Sequence, residues 1–147
     1  MTCAAEVTTT LFYVDDDPED LIFFKTATEA IGEDVTLFSL GDEMIRAMQN
    51  PPPAPSIVFL DLNMPLRSGY DLLKELKSSF AFCNIPIVIL STACDRATIQ
   101  KCRDLGASLY VTKPPSLKLL KKVLEGVVKI DWTNFNTNDQ NFVFHAD

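Results

Sequence analysis

Histidine and paired cysteines are scarce in this sequence. Its one histidine, His145, stands near the C-terminus without cysteine or histidine neighbours, so it does not indicate a metal ligand or a general base. The four cysteines form no CxxC pair, and we interpret them as reduced thiols of a cytoplasmic protein. A cysteine-rich metal centre and chemistry based on a histidine are therefore not expected.

Positive charge and long apolar runs are also lacking. Lys and Arg total 13 against 20 Asp and Glu, which gives a net charge of −7. A nucleic-acid surface needs clustered Lys and Arg, so neither nucleic acid nor an anionic membrane is an expected partner. The opening MTCAAEVTTT lacks the regions of a signal peptide, and no apolar run is long enough to span a bilayer. An acidic chain of this kind does suit a divalent cation.

The apolar pattern alternates between short strand-like runs and helical periods. With 147 residues, 47% of them hydrophobic and 22% charged, the chain predicts one globular domain with a full core. The predicted strands are TLFYV (10–14), VTLFSL (35–40), SIVFLD (56–61), IPIVILS (85–91) and LYVT (109–112). The predicted helices cover about 18–31, 42–49, 70–79, 96–105 and 117–128.

This alternation predicts an α/β fold in which a doubly wound, five-stranded parallel sheet carries helices on both faces. We assign 1–7 to an N-terminal tail, 8–129 to the domain and 130–147 to a C-terminal tail. The proline run NPPPAP (50–55) indicates a stiff loop. For the C-terminal tail, its polar composition slightly favours disorder, while its four aromatic residues favour docking on the domain or on a partner.

Polar residues follow four of the five predicted strands. Asp15 and Asp16 follow the first, Asp61 ends the third, Ser91 ends the fourth and Lys113 follows the fifth. In parallel sheets of this class, ligands bind at the carboxyl ends of the strands, beside the point where the strand order reverses. We therefore expect these five side chains to converge on one site.

The chemistry of this set points to phosphoryl transfer. Three adjacent carboxylates repel one another and need cations to stay ionised. A hard divalent ion such as Mg²⁺ suits their oxygen atoms, and Lys113 supplies a second positive charge. A carboxylate nucleophile with a metal, an ammonium and a hydroxyl is what an aspartyl phosphate requires. Asp17, directly before Pro18, is instead predicted to cap the first helix.

Four segments together resemble one known family. In order and separation they match the response regulator receiver domain of two-component signalling, and they are similar to the single-domain chemotaxis regulators over about residues 8–129. The segments are VDDD (14–17), FLDLNMPLRSG (59–69), PIVILST (86–92) and GASLYVTKP (106–114). The resemblance implies a flavodoxin-like fold with strand order 2-1-3-4-5.

The resemblance also implies the roles of the acidic residues. Asp61 resembles the phospho-acceptor of the family. Asp16 and Asp61 resemble direct Mg²⁺ ligands, and the backbone carbonyl of Asn63 resembles a third. Asp15 resembles the acid that holds the metal through water. No organic cofactor is implied.

The remaining roles concern catalytic assistance and switching. Lys113 resembles the invariant lysine, Ser91 the switch hydroxyl and Tyr110 the aromatic switch residue. The implied phosphoryl donor is a phosphohistidine on a sensor histidine kinase or a histidine phosphotransfer protein. The receiver would be no enzyme in the ordinary sense, because it catalyses only its own phosphorylation and dephosphorylation. Its output would be a protein-binding surface for a downstream partner.

Two alternatives stay open at this point. Asp15 and Asp17 also fit the DxD opening of haloacid dehalogenase-like phosphatases, although Glu19 departs from that pattern and no later acidic motif follows Lys113. The second alternative is a receiver-shaped binding module that is no longer phosphorylated. The intact set of carboxylates, serine and lysine argues against it.

Overall fold

The computed structural model describes residues 9–49 and 57–145, and each predicted element is present there with its ends shifted by at most two residues. The strands are β1 (Thr10–Val14), β2 (Asp34–Phe38), β3 (Ile57–Leu60), β4 (Ile87–Ser91) and β5 (Leu109–Thr112). The helices are α1 (Pro18–Ala30), α2 (Gly41–Gln49), α3 (Gly69–Ser78), α4 (Arg96–Asp104) and α5 (Leu117–Val128). The predicted tail 1–7 and the proline loop 50–55 lie outside the described residues.

The strands form one parallel sheet in the order β2-β1-β3-β4-β5. This order confirms the predicted doubly wound, flavodoxin-like fold. The direction of strand addition reverses between β1 and β3, so a crevice opens at their carboxyl ends. Among the described helices, none is both long and apolar enough to cross a membrane.

Both faces of the sheet are covered, which explains why the inner strands consist almost wholly of apolar residues. On the face covered by α1 and α5, Tyr13 stacks on Phe24 with ring centroids 4.3 Å apart. Phe24 meets Phe59 edge-on at 5.1 Å. The face covered by α2, α3 and α4 buries Met44 and Leu72 completely. These two clusters hold β1 and β3 in place. They thereby also set the positions of the aspartates that follow these strands, Asp15, Asp16 and Asp61.

Side-chain caps start four of the helices close to the strand ends. Asp17 Oδ1 accepts a hydrogen bond from Glu19 N at 2.9 Å, so Asp17 caps α1 as predicted. Ser68 and Asp71 form a capping box at α3. These caps satisfy backbone N–H groups in the first turn of each helix, which sets where the helix begins after the strand.

The C-terminal tail contacts the domain as far as Phe144. Tyr110 N donates to Phe142 O at 2.8 Å and Phe144 N donates to Tyr110 O at 2.9 Å, which makes a parallel bridge between Tyr110 and Val143. Trp132 and Phe135 pack on each other at 5.0 Å and lie against the apolar cluster of the α1 and α5 face. In the described part of the tail, these contacts join the segment to its own domain.

Candidate phosphoryl-acceptor and metal site

Three carboxylates meet at the carboxyl ends of β1 and β3. Oxygen atoms of Asp15, Asp16 and Asp61 lie within 4.8 Å of one another. Backbone hydrogen bonds continue the sheet into this cluster, because Asp61 N donates to Val14 O at 3.1 Å. Asp15 and Asp61 are buried, at 1% and 5% exposure, whereas Asp16 is exposed. The site therefore has a buried floor and an open side.

Lys113 bridges the carboxylates from the loop after β5. Its Nζ lies 2.9 Å from Asp15 Oδ2, 3.2 Å from Asp61 Oδ1 and 2.7 Å from Asp20 Oδ2. Lys113 N donates to Ser91 O at 2.8 Å, which directs the loop over the site. Burial alone would lower the pKa of Lys113, but the hydrogen bonds to Asp20 and Asp15 and the charge of Asp61 outweigh it and raise that pKa. The ammonium thus stays charged.

Asp15 is held by donors on both of its oxygens. Tyr13 Oη donates to Oδ2 at 2.5 Å, and Asp17 N donates to Oδ1 at 3.0 Å. Burial, followed by the charge of Asp15, raises the pKa of Tyr13, so the phenol keeps its proton and remains a donor. Together with Lys113, these donors fix the orientation of the Asp15 carboxylate.

Asp61 is the carboxyl whose ionisation is most clearly disfavoured. Burial, then repulsion from Asp15, raises its pKa to about 6, against the lowering effect of Lys113. Asp61 is still ionised at pH 7, but its charge is poorly compensated. A divalent cation on the open side, next to Asp16, would supply that compensation through the oxygen ligands it prefers.

Ser91 and Tyr110 meet at a neighbouring loop. Ser91 ends β4 completely buried, and its Oγ accepts a hydrogen bond from Ala93 N at 3.2 Å. Tyr110 Oη donates to Ala93 O at 2.6 Å. Burial raises the pKa of Tyr110 to about 12. The two predicted switch residues thus share one contact residue in the β4–α4 loop.

Comparison with known proteins places this arrangement in a family. A family model of the response regulator receiver domain matches residues 11–125. The chain belongs to the response regulator receiver family. The matched range contains all five residues that were predicted at the strand ends, and it stops before the docked tail.

Curated relatives and solved structures agree with this assignment. The chain is 30% identical over 114 residues to the two-component response regulator ARR6 of Arabidopsis thaliana, covering 78% of this chain and 57% of ARR6. It is 33% identical over 75 residues to response regulator Rcp1 of Synechocystis sp., covering 51% of each. The aligned part of the chain thus spans about half the length of these curated relatives.

Among solved structures, the phosphorylated cyanobacterial phytochrome response regulator RcpA superposes with a TM-score of 0.75 at 26% identity, covering 89% of this receiver and 98% of RcpA. The chemotaxis response regulator CheY4 of Vibrio cholerae superposes with a TM-score of 0.73 at 22% identity, covering 82% and 99%. The second likeness bears on the fold alone.

The β3–α3 loop of this receiver is held by an arginine. The Arg67 guanidinium binds Asp42 at 2.5 Å and also binds Glu75, which ties the loop to α2 and α3. Leu66, just before it, has a φ of 69° and is 94% exposed. Asn63 lies exposed at the start of this loop. The loop that follows Asp61 is therefore linked through Arg67 to both α2 and α3.

Gly69 lets this loop pass close to the backbone of Asp61. A Cβ atom at Gly69 would lie 2.2 Å from Asp61 O and 2.8 Å from Leu62 Cα, and backbone atoms cannot yield as a flexible side chain can. We expect Gly69→Ala to lower the free energy of unfolding by about 2 kcal/mol, as overpacking does. Urea unfolding of the variant and the wild type measures this loss.

Ser68→Ala is the matched control for this substitution. It removes only the cap of α3 and should cost about 1 kcal/mol. Alanine in place of glycine in a helix is otherwise favourable by about 0.5–1 kcal/mol. A Gly69→Ala protein as stable as the wild type would therefore contradict the close approach to Asp61.

Two residues of the site were not singled out from the sequence. From the sequence, Asp20 is only an acidic residue in the first turn of the predicted helix 18–31, and Tyr13 is only part of the apolar strand 10–14. The available signals were the position of Asp20 in the first turn of the helix that follows β1 and the placement of Tyr13 two residues before Asp15, so that both lie on the same side of the strand. In this receiver both serve the Asp15–Lys113 pair.

Proposed function

We propose that this receiver accepts a phosphoryl group on Asp61, with Mg²⁺ as its metal, from the phosphohistidine of a sensor histidine kinase or a histidine phosphotransfer protein. The observation that carries the proposal is the contact of one half-buried ammonium, Lys113, with both Asp15 and Asp61 beside the exposed Asp16. The phosphorylated form of RcpA supports it, because that relative shares this fold at 26% identity. The receiver acts as an acceptor in this scheme and has no separate substrate to turn over.

The donor set of this chain fits a magnesium ion. Asp16, Asp61 and the backbone carbonyl of Asn63 would hold it directly, because these are oxygen ligands and Asp16 lies on the open side. Asp15 already accepts hydrogen bonds on both oxygens, which supports a role through water. When bound, the ion would neutralise charge on the phosphoryl oxygens.

The residues of the chain itself would then complete the transfer. The ionised carboxylate of Asp61 attacks phosphorus, an oxygen–phosphorus bond forms, and the bond from phosphorus to the imidazole nitrogen of the donor breaks. Lys113 stays protonated beside Asp61 and donates to a phosphoryl oxygen. Tyr13 and Asp20 keep Asp15 and Lys113 in place during the transfer.

Ala93 would connect the phosphorylation site to Tyr110, because it is hydrogen-bonded to both Ser91 and Tyr110. A Ser91 hydroxyl that turns toward the phosphoryl group gives up its hydrogen bond from Ala93 N. Tyr110 Oη donates a hydrogen bond to the carbonyl of the same residue. A shift of this loop would therefore change the position of the Tyr110 ring. The proposed output is a changed protein-binding surface around β5, which a downstream protein reads.

Chemical phosphorylation tests this function. Incubation with phosphoramidate and Mg²⁺, followed by mass spectrometric mapping, should find one acyl phosphate, on Asp61. Asp61→Asn should abolish it, while Asp17→Asn should leave it unchanged, because asparagine also caps a helix.

Two results would contradict the proposal. Modification of Asp15 with multiple turnovers on phosphate esters would support the phosphatase alternative. A wild-type protein that takes no label with Mg²⁺ present would support the non-phosphorylated binding module.

A further inference from the structure

A short segment of the C-terminal tail lies along β5, beyond the family match that ends at residue 125. We call residues 142–144 the tail strand. β5 is the last strand of the sheet and pairs with β4 on its inner side. On its outer side, Tyr110 N donates to Phe142 O at 2.8 Å, and Tyr110 O accepts from Phe144 N at 2.9 Å. The tail strand therefore gives β5 a backbone partner on both sides, as an inner strand has.

The rings of the tail strand pack beside both flanking helices. Phe142 is 2% exposed and lies in the apolar cluster that contains Tyr110, with ring centroids 6.3 Å apart. The guanidinium of Arg103, on α4, lies 5.9 Å from the Phe142 ring. Phe144 packs on α5, where a Cβ atom at Gly126 would lie 2.6 Å from Phe144 Cζ. Tyr110 is completely buried, and Phe142 and the backbone of the tail strand supply part of its cover.

Tyr110 transmits this restraint to the β4–α4 loop. Tyr110 Oη donates to Ala93 O at 2.6 Å, and Ala93 N donates to Ser91 Oγ at 3.2 Å. In the proposed phosphorylated state Ser91 turns toward the phosphoryl group, so the bond from Ala93 N is lost while the bond to Ala93 O remains. The loop is then held at Ala93 by Tyr110, whose own position depends on the tail strand.

The end of β5 also carries the lysine of the site. Lys113 follows directly after β5, and its backbone N donates to Ser91 O at 2.8 Å. Phe144 lines a cavity together with Lys113, Pro114 and Pro115 of the β5–α5 loop. The tail strand therefore borders the loop that places the ammonium beside the phospho-acceptor.

We propose that docking of the tail strand favours phosphorylation of Asp61 in the same chain. The tail strand is a positioning segment. It holds Tyr110, which retains the β4–α4 loop once Ser91 has turned, and it holds the end of β5 from which Lys113 reaches the site. Because the coupling between two sites is reciprocal, a phosphoryl group on Asp61 tightens the tail strand on β5 by the same factor. The inference rests on the proposed function and adds to it a regulatory segment outside the family match.

Beryllofluoride with Mg²⁺, which stands in for the phosphoryl group on Asp61, is the probe. Its half-saturating concentration, followed by backbone amide NMR shifts, should be at least about fivefold higher for full-length Phe142→Ala than for the wild type. Phe82→Ala is the matched control, because Phe82 packs against the same apolar cluster from the connection between α3 and β4. Its half-saturating concentration should stay within about twofold of the wild-type value, because independent sites do not couple.

Circular dichroism checks that Phe142→Ala is folded. If it is not, Thr137→Val/Asp139→Ala takes its place. Thr137 Oγ1 donates to Ser108 O at 2.9 Å and Asp139 pairs with Arg103 at 2.9 Å, so this variant loosens the segment before the tail strand without altering either ring. The same weakening of beryllofluoride binding is expected. A folded variant with wild-type affinity overturns the proposal.

Amide exchange tests the coupling in the reverse direction. The amides of Tyr110 and Phe144 donate across the bridge between β5 and the tail strand. Beryllofluoride with Mg²⁺ should slow their exchange at least about fivefold more than that of the amides of β2, the opposite edge strand, which report any general gain in stability. Asp61→Asn should show no such difference. A tail strand that only stabilises the fold would give equal slowing in β2 and in the bridge, and that result overturns the proposal.

The outcomes also separate this inference from the proposed function. A wild-type protein that takes no acyl phosphate and binds no beryllofluoride contradicts both. A wild-type protein that is labelled on Asp61, together with a folded Phe142→Ala protein of equal beryllofluoride affinity, overturns only the role of the tail strand.

Discussion

Replacing Lys113 with methionine should lower the free energy of unfolding at pH 7, in the absence of divalent metal, by about 3 kcal/mol. The Nζ of Lys113 contacts Asp15, Asp61 and Asp20 within 3.2 Å, and its side chain is only 15% exposed. Methionine keeps most of the volume but leaves Asp15 and Asp61 buried without their cation. Urea unfolding in the presence of a chelator measures the loss.

The loss should be smaller at pH 5. Asp61, with a pKa of about 6, is then largely protonated even in the wild type, so it depends less on the ammonium. Lys25→Met is the matched control, because Lys25 is 59% exposed and pairs only loosely with Glu29 at 3.9 Å. Its loss should not exceed about 0.5 kcal/mol. Equal losses in the two variants would show that Lys113 does not compensate the buried carboxylates.

Asp61→Asn should have the opposite effect and raise the free energy of unfolding at pH 7 by about 2 kcal/mol without divalent metal. The pKa of Asp61 is about 6 in the folded protein, against an ordinary value of 3.8, because of burial and then the charge of Asp15. A carboxyl with a raised folded pKa favours folding in its protonated form. Its contribution is complete below pH 3.8 and is lost as the pH rises through about 6. Asparagine removes the charge and keeps the shape.

The pH and metal dependence separate this explanation from a general packing effect. The advantage of Asp61→Asn should shrink as the pH falls from 7 to 4. Added Mg²⁺ should raise the melting temperature of the wild type more than that of the variant, because the variant lacks one of the proposed ligands. Asp17→Asn changes an exposed helix cap and should shift stability by less than about 0.5 kcal/mol. An advantage that is the same at every pH would contradict the charge argument.

The sequence was sufficient for the elements and for the main polar residues of the site. Apolar runs and caps predict the strands and helices, and parallel strands bring their carboxyl ends to one edge, so Asp15, Asp16, Asp61 and Lys113 could be placed together. Asp20 could not, because it lies on a helix and reaches Lys113 only through the path of the β5–α5 loop. The role of Tyr13 could not be predicted either. The apolar pattern of the strand shows that an aromatic ring is buried at this position, but it does not show that the hydroxyl donates to Asp15.

The docked tail was the least predictable part. Residues 130–145 follow no helical or strand period, and one residue, Val143, forms its bridge to the sheet. Whether such a segment docks depends on the surface it meets: the edge of β5, the glycine in α5 and the arginine in α4. All of these features lie outside the tail itself, so the composition of the tail alone could not decide between docking and disorder.

Trp132 makes this tail visible to spectroscopy. It is the one tryptophan of the chain, and it lies in the C-terminal segment, packed on Phe135 and against the cluster on the α1 and α5 face. Native tryptophan emission therefore originates in the tail and away from the carboxylate site. A shift in its wavelength under conditions that leave the circular dichroism unchanged would report movement of the tail without any attached dye.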